Sequence, residues 1–152
     1  MHCRYVSNAQ SVKEVYVEAE RLEVANKATI VLCEVLLNDE KIIQKIAAHK
    51  LMFLRFTNEN QKAQKYLMGG IEKTVEMRRE ALLPKVPLIF KAFYDHDILD
   101  EEVILEWSKK VSKKHVPKEL AEKIHKNAAP FVTWLQEVRL LPWSLIFLVI
   151  FH

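Results

Sequence analysis

Clustered carboxylates that lead into a tryptophan are the residues of this sequence best suited to binding chemistry. Between Asp95 and Trp107 there are six Asp or Glu residues and no Lys or Arg. Carboxylates select a partner of positive charge and increase the rate at which it approaches. An indole ring adds apolar area and a face on which a cation can lie. The pattern predicts a docking site for a lysine-rich segment. The alternative is a solvated helix start with a core tryptophan behind it.

A second acidic-aromatic pattern, PFVTWLQE at residues 130–137, follows about one helix later. Its Trp134 lies three residues after Phe131. Side chains at that spacing share one face of a helix, so Trp134 is expected to be mostly buried. In the first pattern Val103 and Trp107 are four residues apart, and the same reasoning predicts partial burial of Trp107.

The sign of the charge reverses after Trp107. The lysines that follow are Lys109, Lys110, Lys113, Lys114, Lys118, Lys123 and Lys126. This second surface has three interpretations, namely a solubilising face, a contact with an acidic protein, or a contact with RNA. RNA is the weaker interpretation because no aromatic residues alternate with the lysines to stack on bases. The net charge of +3 is too small to imply nucleic-acid binding by itself.

The sequence offers no case for an enzyme or for a cofactor. It contains no glycine loop that would cradle phosphate, and no H-x-x-x-H, C-x-x-C or nucleophile-elbow spacing. The acidic stretch could supply an acid/base pair or bind magnesium, but carboxylates beside a lysine run more often form a charged surface. Cys3 and Cys33 have no zinc or redox spacing, and Cys33 lies in an apolar helical run, as a core residue would. This cysteine usage weakly indicates a reducing compartment.

The composition predicts an all-α fold. Half of the 152 residues are apolar, 28% are charged and two are glycine. A single domain of this length can bury a core built of helices joined by short connections. We expect about eight helices of roughly 10–20 residues, packed as antiparallel pairs in an α-solenoid. A compact helical bundle is the main alternative.

The expected boundaries of the first helices follow from capping and breaking residues. SVKE at residues 11–14 is a capping box that opens a helix running to about Val24. A second helix is expected over residues 27–37. Its buried face is expected to contain Ile30, Val31, Leu32, Val35 and Leu36. Residues 58–61 open a later helix, which Gly69 and Gly70 are expected to end or bend.

The charged patterns are expected on the last two helices. Asp100 is placed to cap the first of them, with two glutamates in the first turn, where carboxylates complement the helix dipole. Pro117 begins the final helix, which is expected to run toward Val138 with a kink at Pro130.

The two ends of the chain differ from the rest. Residues 1–10 contain no apolar stretch for a signal peptide and are expected to be a disordered or extraneous leading segment, which favours a cytoplasmic location. The 12 residues 140–151 are almost wholly apolar, but a bilayer span takes roughly 20, so membrane insertion is disfavoured. The apolar tail, defined as residues 139–152, is expected either to drive membrane association or self-association, or to fold back onto a groove and cover the second pattern.

Six segments together resemble one known family. They are residues 17–23, 28–37, 53–56, 61–67, 100–108 (DEEVILEWS) and 131–135 (FVTWL). The family is the two-tryptophan domain at the carboxy terminus of eukaryotic translation initiation factor 5, and the resemblance implies a HEAT-like α-solenoid over about residues 11–138. A related domain ends the epsilon subunit of the nucleotide exchange factor for initiation factor 2, but residues 28–37 resemble factor 5 more closely.

The resemblance implies a non-catalytic assembly module. In the family, two acidic-aromatic boxes hold lysine-rich segments of the initiation factor 2 beta subunit, and the resemblance also implies contacts with the exchange-factor epsilon subunit and with initiation factors 1 and 3. The first box maps onto Asp100, Glu101, Glu102, Glu106 and Trp107. The second box maps onto Phe131, Trp134 and Glu137. GTPase activation in the family belongs to a separate amino-terminal domain, so these residues are not expected to accelerate GTP hydrolysis.

The sequence departs from the family pattern at the second box. In the family this box continues into a series of Glu and Asp residues, whereas here Glu137 is followed by Val138, Arg139 and apolar residues. Only one of the two boxes therefore keeps its full charge. The apolar tail resembles nothing in the family.

Overall fold

The computed structural model describes residues 9–140 and Ile150, which form nine α-helices, one short 3-10 turn and no β-strand. The helices are α1 (Ala9–Arg21), α2 (Ala28–Leu36), α3 (Ile42–Ala48), α4 (Lys50–Thr57), α5 (Gln61–Met77), α6 (Arg79–Leu82), α7 (Val86–Asp95), α8 (Glu101–Ser108) and α9 (Lys118–Leu140), with the 3-10 turn at Leu83–Lys85. The predicted all-α fold of about eight helices is confirmed, since α6 is a single turn of four residues. The domain boundaries expected near both ends stay predictions, because residues 1–8 and most of the apolar tail lie outside the described residues.

The closest packing joins helices that are not neighbours in the sequence. α2 packs on α5, α7 on α9, α1 on α4 and α3 on α7, while α8 contacts both α5 and α9. The helices share an apolar core in which Phe53, Phe56, Phe90 and Phe93 are fully buried. Phe53 and Phe93 meet edge to face with ring centroids 5.5 Å apart, an arrangement that aromatic quadrupoles favour. The core therefore runs from α1 to α9, holding α8 and α9 against α5 and α7 against α9.

α5 does not end at Gly69 and Gly70 but continues through both to Met77. A Cβ atom added at Gly70 would lie 2.9 Å from Cys33 Sγ and 3.1 Å from the Cα atom of Ile30. The expectation of a helix end was wrong because the glycine is used for close approach of α2 rather than for chain reversal. Cys33 is fully buried at this contact, and burial raises the pKa of its thiol.

The first helix begins before the expected capping box. α1 starts at Ala9, so Ser11 lies inside the helix and is buried. The preceding alanine and glutamine are good helix formers and extend the helix toward the N-terminus. At the other end α1 stops at Arg21 rather than at Val24, because Glu23 takes a left-handed conformation with φ of 58°.

The buried face of α2 is narrower than expected. Leu32, Cys33 and Leu36 are buried, whereas Val31 is 56% exposed and Val35 is 38% exposed. α2 is apolar on nearly every side, so its sequence alone did not show which stripe would face α5. The helical period selects one stripe, and the two valines fall on the opposite side.

The expected start of α5 is confirmed. Asn60 occupies the N-cap position, and its Oδ1 accepts a hydrogen bond from the backbone N–H of Ala63 at 3.1 Å. Its Nδ2 donates to Asn26 Oδ1 at 2.8 Å, which ties the helix start to the α1–α2 connection. The last helix is also found where it was expected, and α9 continues through Pro130 without ending there. The kink expected at Pro130 stays a prediction.

Candidate partner-binding surfaces

An acidic groove lies where α7, α8 and α9 meet. It has a volume of about 760 Å³ and is lined by Lys91, Tyr94, Asp95, Asp97, Leu99, Asp100, Glu101, Glu102, Trp134 and Ile150. Five of these side chains are carboxylates. The groove therefore collects the acidic stretch around an aromatic ring that lies more than 30 residues later in the sequence.

The tight connection between α7 and α8 brings these carboxylates together. Asp97 has a φ of 60°, a left-handed conformation that aspartate tolerates better than most residues. The N–H groups of Ile98 and Leu99 both donate to the carbonyl of Phe93, at 3.0 and 3.3 Å. These bonds close the end of α7 so that Asp100 can begin α8 directly afterwards.

Asp100 occupies the N-cap position of α8 but does not bond to the helix with its side chain. Its Oδ2 accepts from Gln64 Nε2 at 3.1 Å, and its backbone N–H donates to Gln64 Oε1 at 2.8 Å. Gln64 is buried and also donates to the carbonyl of Thr57 at 3.0 Å. The expected cap is therefore present as a backbone conformation, while its carboxylate anchors α8 to α5.

Other carboxylates of the groove have exposed partners within the chain. Asp95 pairs with Lys91 at 2.7 Å, and Glu101 pairs with Arg139 at 3.6 Å. Glu102 accepts a hydrogen bond from Gln61 Nε2 at 3.1 Å. Ion pairs this exposed contribute about 0–1 kcal/mol each. A cation from another molecule can therefore replace these contacts at little net cost.

A three-ring cluster forms the apolar side of the groove. The Trp134 ring lies 5.7 Å from Phe131 in a stacked arrangement and 6.1 Å from Tyr94 edge to face. Phe131 is buried beneath the groove, whereas Trp134 and Tyr94 are partly exposed. Burial, with smaller contributions from the charges of Glu101, Asp95 and Asp97, raises the pKa of Tyr94. The tryptophan beside Asp100, Glu101 and Glu102 of the first box is therefore Trp134, from the second box.

Trp107 faces a different surface from the acids at the start of its own helix. Its Nε1 donates to Glu72 Oε1 at 3.0 Å, and its ring stacks on His125 with centroids 3.7 Å apart and planes 16° apart. Phe90 packs on it with centroids 4.9 Å apart. Trp107 is partly exposed, which confirms the partial burial expected from its spacing to Val103.

The environment beneath Trp107 contains two buried polar atoms without a hydrogen-bond partner in the described part of the chain, Glu72 Oε2 and His125 Nε2. Burial raises the pKa of Glu72, although the bond from Trp107 opposes this. Burial lowers the pKa of His125. Both groups are therefore shifted toward their neutral forms.

A second concave surface, here called the lysine-rimmed pocket, has Trp107 in its floor. It has a volume of about 720 Å³ and is lined by Lys65, Met68, Val103, Glu106, Trp107, Lys110, Val111, Ser112, Lys113, Lys114 and Lys118. The floor is apolar and the rim is mostly basic. Glu106 is the acidic residue here, and it pairs with Lys65 at 3.5 Å. Among the residues of the first box, Trp107 and Glu106 therefore belong to this pocket.

The remaining site residues expected from the sequence are scattered around these two surfaces. Glu137 is exposed on α9 and does not line the acidic groove, and Lys109 is exposed beside the lysine-rimmed pocket without lining it. Tyr94, Leu99 and Lys65 were missed by sequence reasoning. Tyr94 directly precedes Asp95, an aromatic–acidic pair that could have been noticed, whereas nothing in the local sequence links Lys65 to residues 106–118.

Neither a metal centre nor a membrane span occurs among residues 9–140. In this part of the chain no group of three or more His, Cys, Asp or Glu side chains is arranged to hold a metal ion. None of the described helices is long and apolar enough to cross a membrane. The membrane and self-association alternatives raised for the apolar tail concern residues that lie mostly outside the described ones.

Comparison with known proteins gives the family. The family model described as "W2: eIF4-gamma/eIF5/eIF2-epsilon" matches residues 63–139. This span is about half of the chain and contains both acidic-aromatic patterns. The chain belongs to the W2 domain family. The expected resemblance is therefore confirmed, and the domain is one found in translation initiation factors.

Curated relatives and a solved structure agree with this assignment. The W2 chain is 52% identical over 133 residues to eukaryotic translation initiation factor 5 of Drosophila melanogaster, covering 88% of this chain and 28% of the relative. It is 50% identical over 127 residues to the same factor of Mus musculus, covering 84% and 29%. This chain thus spans less than a third of these relatives.

The solved structure shows the same fold. The C-terminal domain of translation initiation factor 5 at low pH matches with a TM-score of 0.76 and 37% sequence identity, covering 88% of this chain and 85% of that one. The predicted HEAT-like helical fold is therefore confirmed.

Proposed function

We propose that this W2 domain is a non-catalytic adaptor of translation initiation that holds lysine-rich segments of other initiation factors in its acidic groove. The observation that carries the proposal is a single groove lined by five carboxylates and by the partly exposed Trp134. By the family resemblance, the partners are the beta subunit of initiation factor 2 and the epsilon subunit of its exchange factor.

The groove matches the chemistry of such a ligand. A lysine ammonium meets carboxylates on one side, and its methylene stem can lie on the ring of Trp134 or Tyr94. Each new ion pair replaces an exposed pair such as Lys91–Asp95, so no single pair contributes more than about 1 kcal/mol. Affinity then arises from several lysines together and decreases as salt screens them.

The lysine-rimmed pocket supports a second contact for the same adaptor. An apolar floor inside a basic rim suits an acidic protein segment that also carries an apolar side chain. The family resemblance implies contacts with initiation factors 1 and 3 without placing them on a surface, and we propose this pocket for them. RNA fits less well, because the aromatic ring of this pocket, Trp107, is stacked on His125 and hydrogen-bonded to Glu72 instead of lying open to a base.

The proposal is tested by reversing charge on one surface at a time. Glu101→Lys combined with Glu102→Lys is expected to weaken binding of a lysine-block peptide at least about tenfold, equivalent to about 1.4 kcal/mol. Glu106→Lys is the matched control, because it lies on the same helix but faces the lysine-rimmed pocket. Titrations by calorimetry at about 50 and 200 mM salt measure both effects and the expected loss of affinity with salt.

Two outcomes would contradict the adaptor proposal. Unchanged affinity in the Glu101/Glu102 double variant would remove the acidic groove as the binding site. A larger loss of affinity in Glu106→Lys than in the double variant would place the binding site at Trp107, as the linear sequence first indicated. Circular dichroism of each variant checks that the helices are retained.

A further inference from the structure

Two residues from the C-terminal end of the chain lie at the acidic groove. Arg139, in the last turn of α9, places its Nε 3.6 Å from Glu101 Oε1. Ile150, eleven residues later in the sequence, lines the groove together with Trp134, Tyr94 and Leu99. The end of α9 and Ile150 therefore meet the same surface from the same chain.

Arg139 and Ile150 offer the groove what a basic ligand would offer. Arg139 supplies a cation to the Glu101 carboxylate, and Ile150 supplies apolar contact beside the three-ring cluster. Ile150 is 55% exposed, so it lies along the groove without being enclosed by it. A contact of this kind is weak enough to be displaced by another molecule.

We propose that the C-terminal end of this chain is a resident competitor for the acidic groove, with Ile150 beside Trp134 and Arg139 on Glu101. The competition rests on the proposed adaptor function, whereas the contact itself does not. A segment tethered beside its site acts at an effective concentration in the millimolar range, so even a weak contact occupies the site for part of the time. The apparent dissociation constant of an external ligand equals its intrinsic value divided by the fraction of time that the groove is free.

The test replaces Ile150 by a polar residue of similar size and no charge. Ile150→Asn leaves the charge of the groove unchanged, so a change in affinity for a basic peptide is not a charge effect. Val31→Asn is the matched control, because Val31 is a β-branched residue that is 56% exposed on α2, away from the groove. Both substitutions are made in the 152-residue chain.

Two readouts separate the contact from the competition. The first is the indole N–H resonance of Trp134 in a ¹⁵N-correlated NMR spectrum, assigned with a Trp134→Phe variant. We expect it to shift in Ile150→Asn and to stay in place in Val31→Asn. The second is titration of a lysine-block peptide, for which Ile150→Asn is expected to bind about 2–10-fold more tightly than the parent chain.

Each outcome decides the proposal. An unshifted Trp134 resonance in Ile150→Asn shows that Ile150 does not contact Trp134, whatever affinity is measured for the peptide. A shifted resonance with unchanged or weakened peptide affinity overturns the competition. If the peptide binds neither protein, the adaptor proposal and the competitor role are both lost, while the resonance still decides whether the contact exists. Arg139→Gln provides a second variant, for which peptide affinity should also increase because Glu101 becomes available.

Discussion

A buried carboxylate supports the first tryptophan of this W2 domain. Glu72 on α5 is 3% exposed, accepts the indole N–H of Trp107 through Oε1, and has a buried Oε2 without a partner in the described part of the chain. A carboxyl group buried in this way is costly when charged, and its neutral form is favoured. Glu72 therefore holds Trp107 in place at the expense of stability near neutral pH.

Glu72→Gln is expected to raise stability at pH 7. The amide keeps an oxygen that accepts the Trp107 N–H, and it removes the buried charge. The gain is expected to be about 1 kcal/mol, or about 2–4 °C in Tm for a chain of this length. Thermal unfolding followed by circular dichroism measures it, with the exposed Glu76→Gln on the same helix as control. A Tm at pH 7 below that of the parent chain would show that the carboxylate is needed.

The pH dependence of this effect has a definite sign. Burial raises the pKa of Glu72. The stability that this carboxyl group contributes is therefore fully present at a pH below the ordinary glutamate pKa of about 4.3. That stability is lost as the pH rises through the raised pKa. The advantage of Glu72→Gln should therefore disappear toward pH 4. An advantage of equal size at pH 4 and pH 7 would mean that ionisation is not its cause.

At the scale of the elements, the contact between α2 and α5 depends on glycine. Gly70 lies opposite Ile30 and Cys33, and the atoms nearest to an added Cβ there include a backbone Cα. Gly69 lies opposite the ring of His115, which is partly exposed on the connection between α8 and α9. The two glycines are adjacent in sequence, but Gly70 faces a backbone atom, whereas Gly69 faces a side chain that can change its rotamer.

Gly70→Ala is expected to destabilise the domain by about 1–3 kcal/mol through overpacking of α2 against α5. Gly69→Ala is expected to cost less, because the His115 side chain can move aside and alanine gains about 1 kcal/mol in helix propensity. Urea unfolding of both variants compares the midpoints at equal m-value. If Gly70→Ala is as stable as the parent chain, the packing distance between α2 and α5 does not depend on the absence of a side chain at residue 70.

The α8 helix shows why neighbouring residues in a motif need not share a site. At about 100° per residue, Trp107 lies about 140° around the helix from Glu102. The acids at the start of α8 therefore face α9 and Trp134, while Trp107 faces His125 and the lysine-rimmed pocket. The linear motif contains parts of two surfaces.

For the whole molecule, three partly buried histidines set the response to acid. Burial lowers the pKa of His49, His115 and His125, with the charges of Lys45 adding to the effect at His49 and those of Lys114 and Lys73 at His115. In the unfolded chain these groups take up protons near their ordinary value of about 6.5. Stability is therefore fully present above that pH and decreases as the pH falls toward the lowered values.

The expected result is a lower Tm at pH 5.5 than at pH 7.5. Glu72 contributes with the opposite sign as the pH rises through its raised pKa, so the slope there should be steeper in Glu72→Gln than in the parent chain. Thermal unfolding at half-unit steps between pH 5 and 8, at constant ionic strength, measures both slopes. A Tm that rises steadily on acidification in both proteins would contradict the histidine account.

The sequence by itself determined a large part of this protein. Two glycines, regular apolar spacing and short connections indicated helices throughout. The starts of α5 and α8 followed from Asn60 and Asp100. The segregation of acidic and basic residues was visible along the chain, and the six quoted segments were enough to indicate the family. These features are local, because capping, periodicity and charge depend on residues within one or two turns of each other.

Only the tertiary structure decided how the parts combine. It placed Trp134 of the second box with the acids of the first, put buried Glu72 beneath Trp107, and used Gly70 for helix contact instead of chain reversal. Each of these pairings joins residues from different helices, 30 or more positions apart in sequence. A single sequence records which side of each helix is apolar or charged, but the packing of helix on helix determines which sides meet.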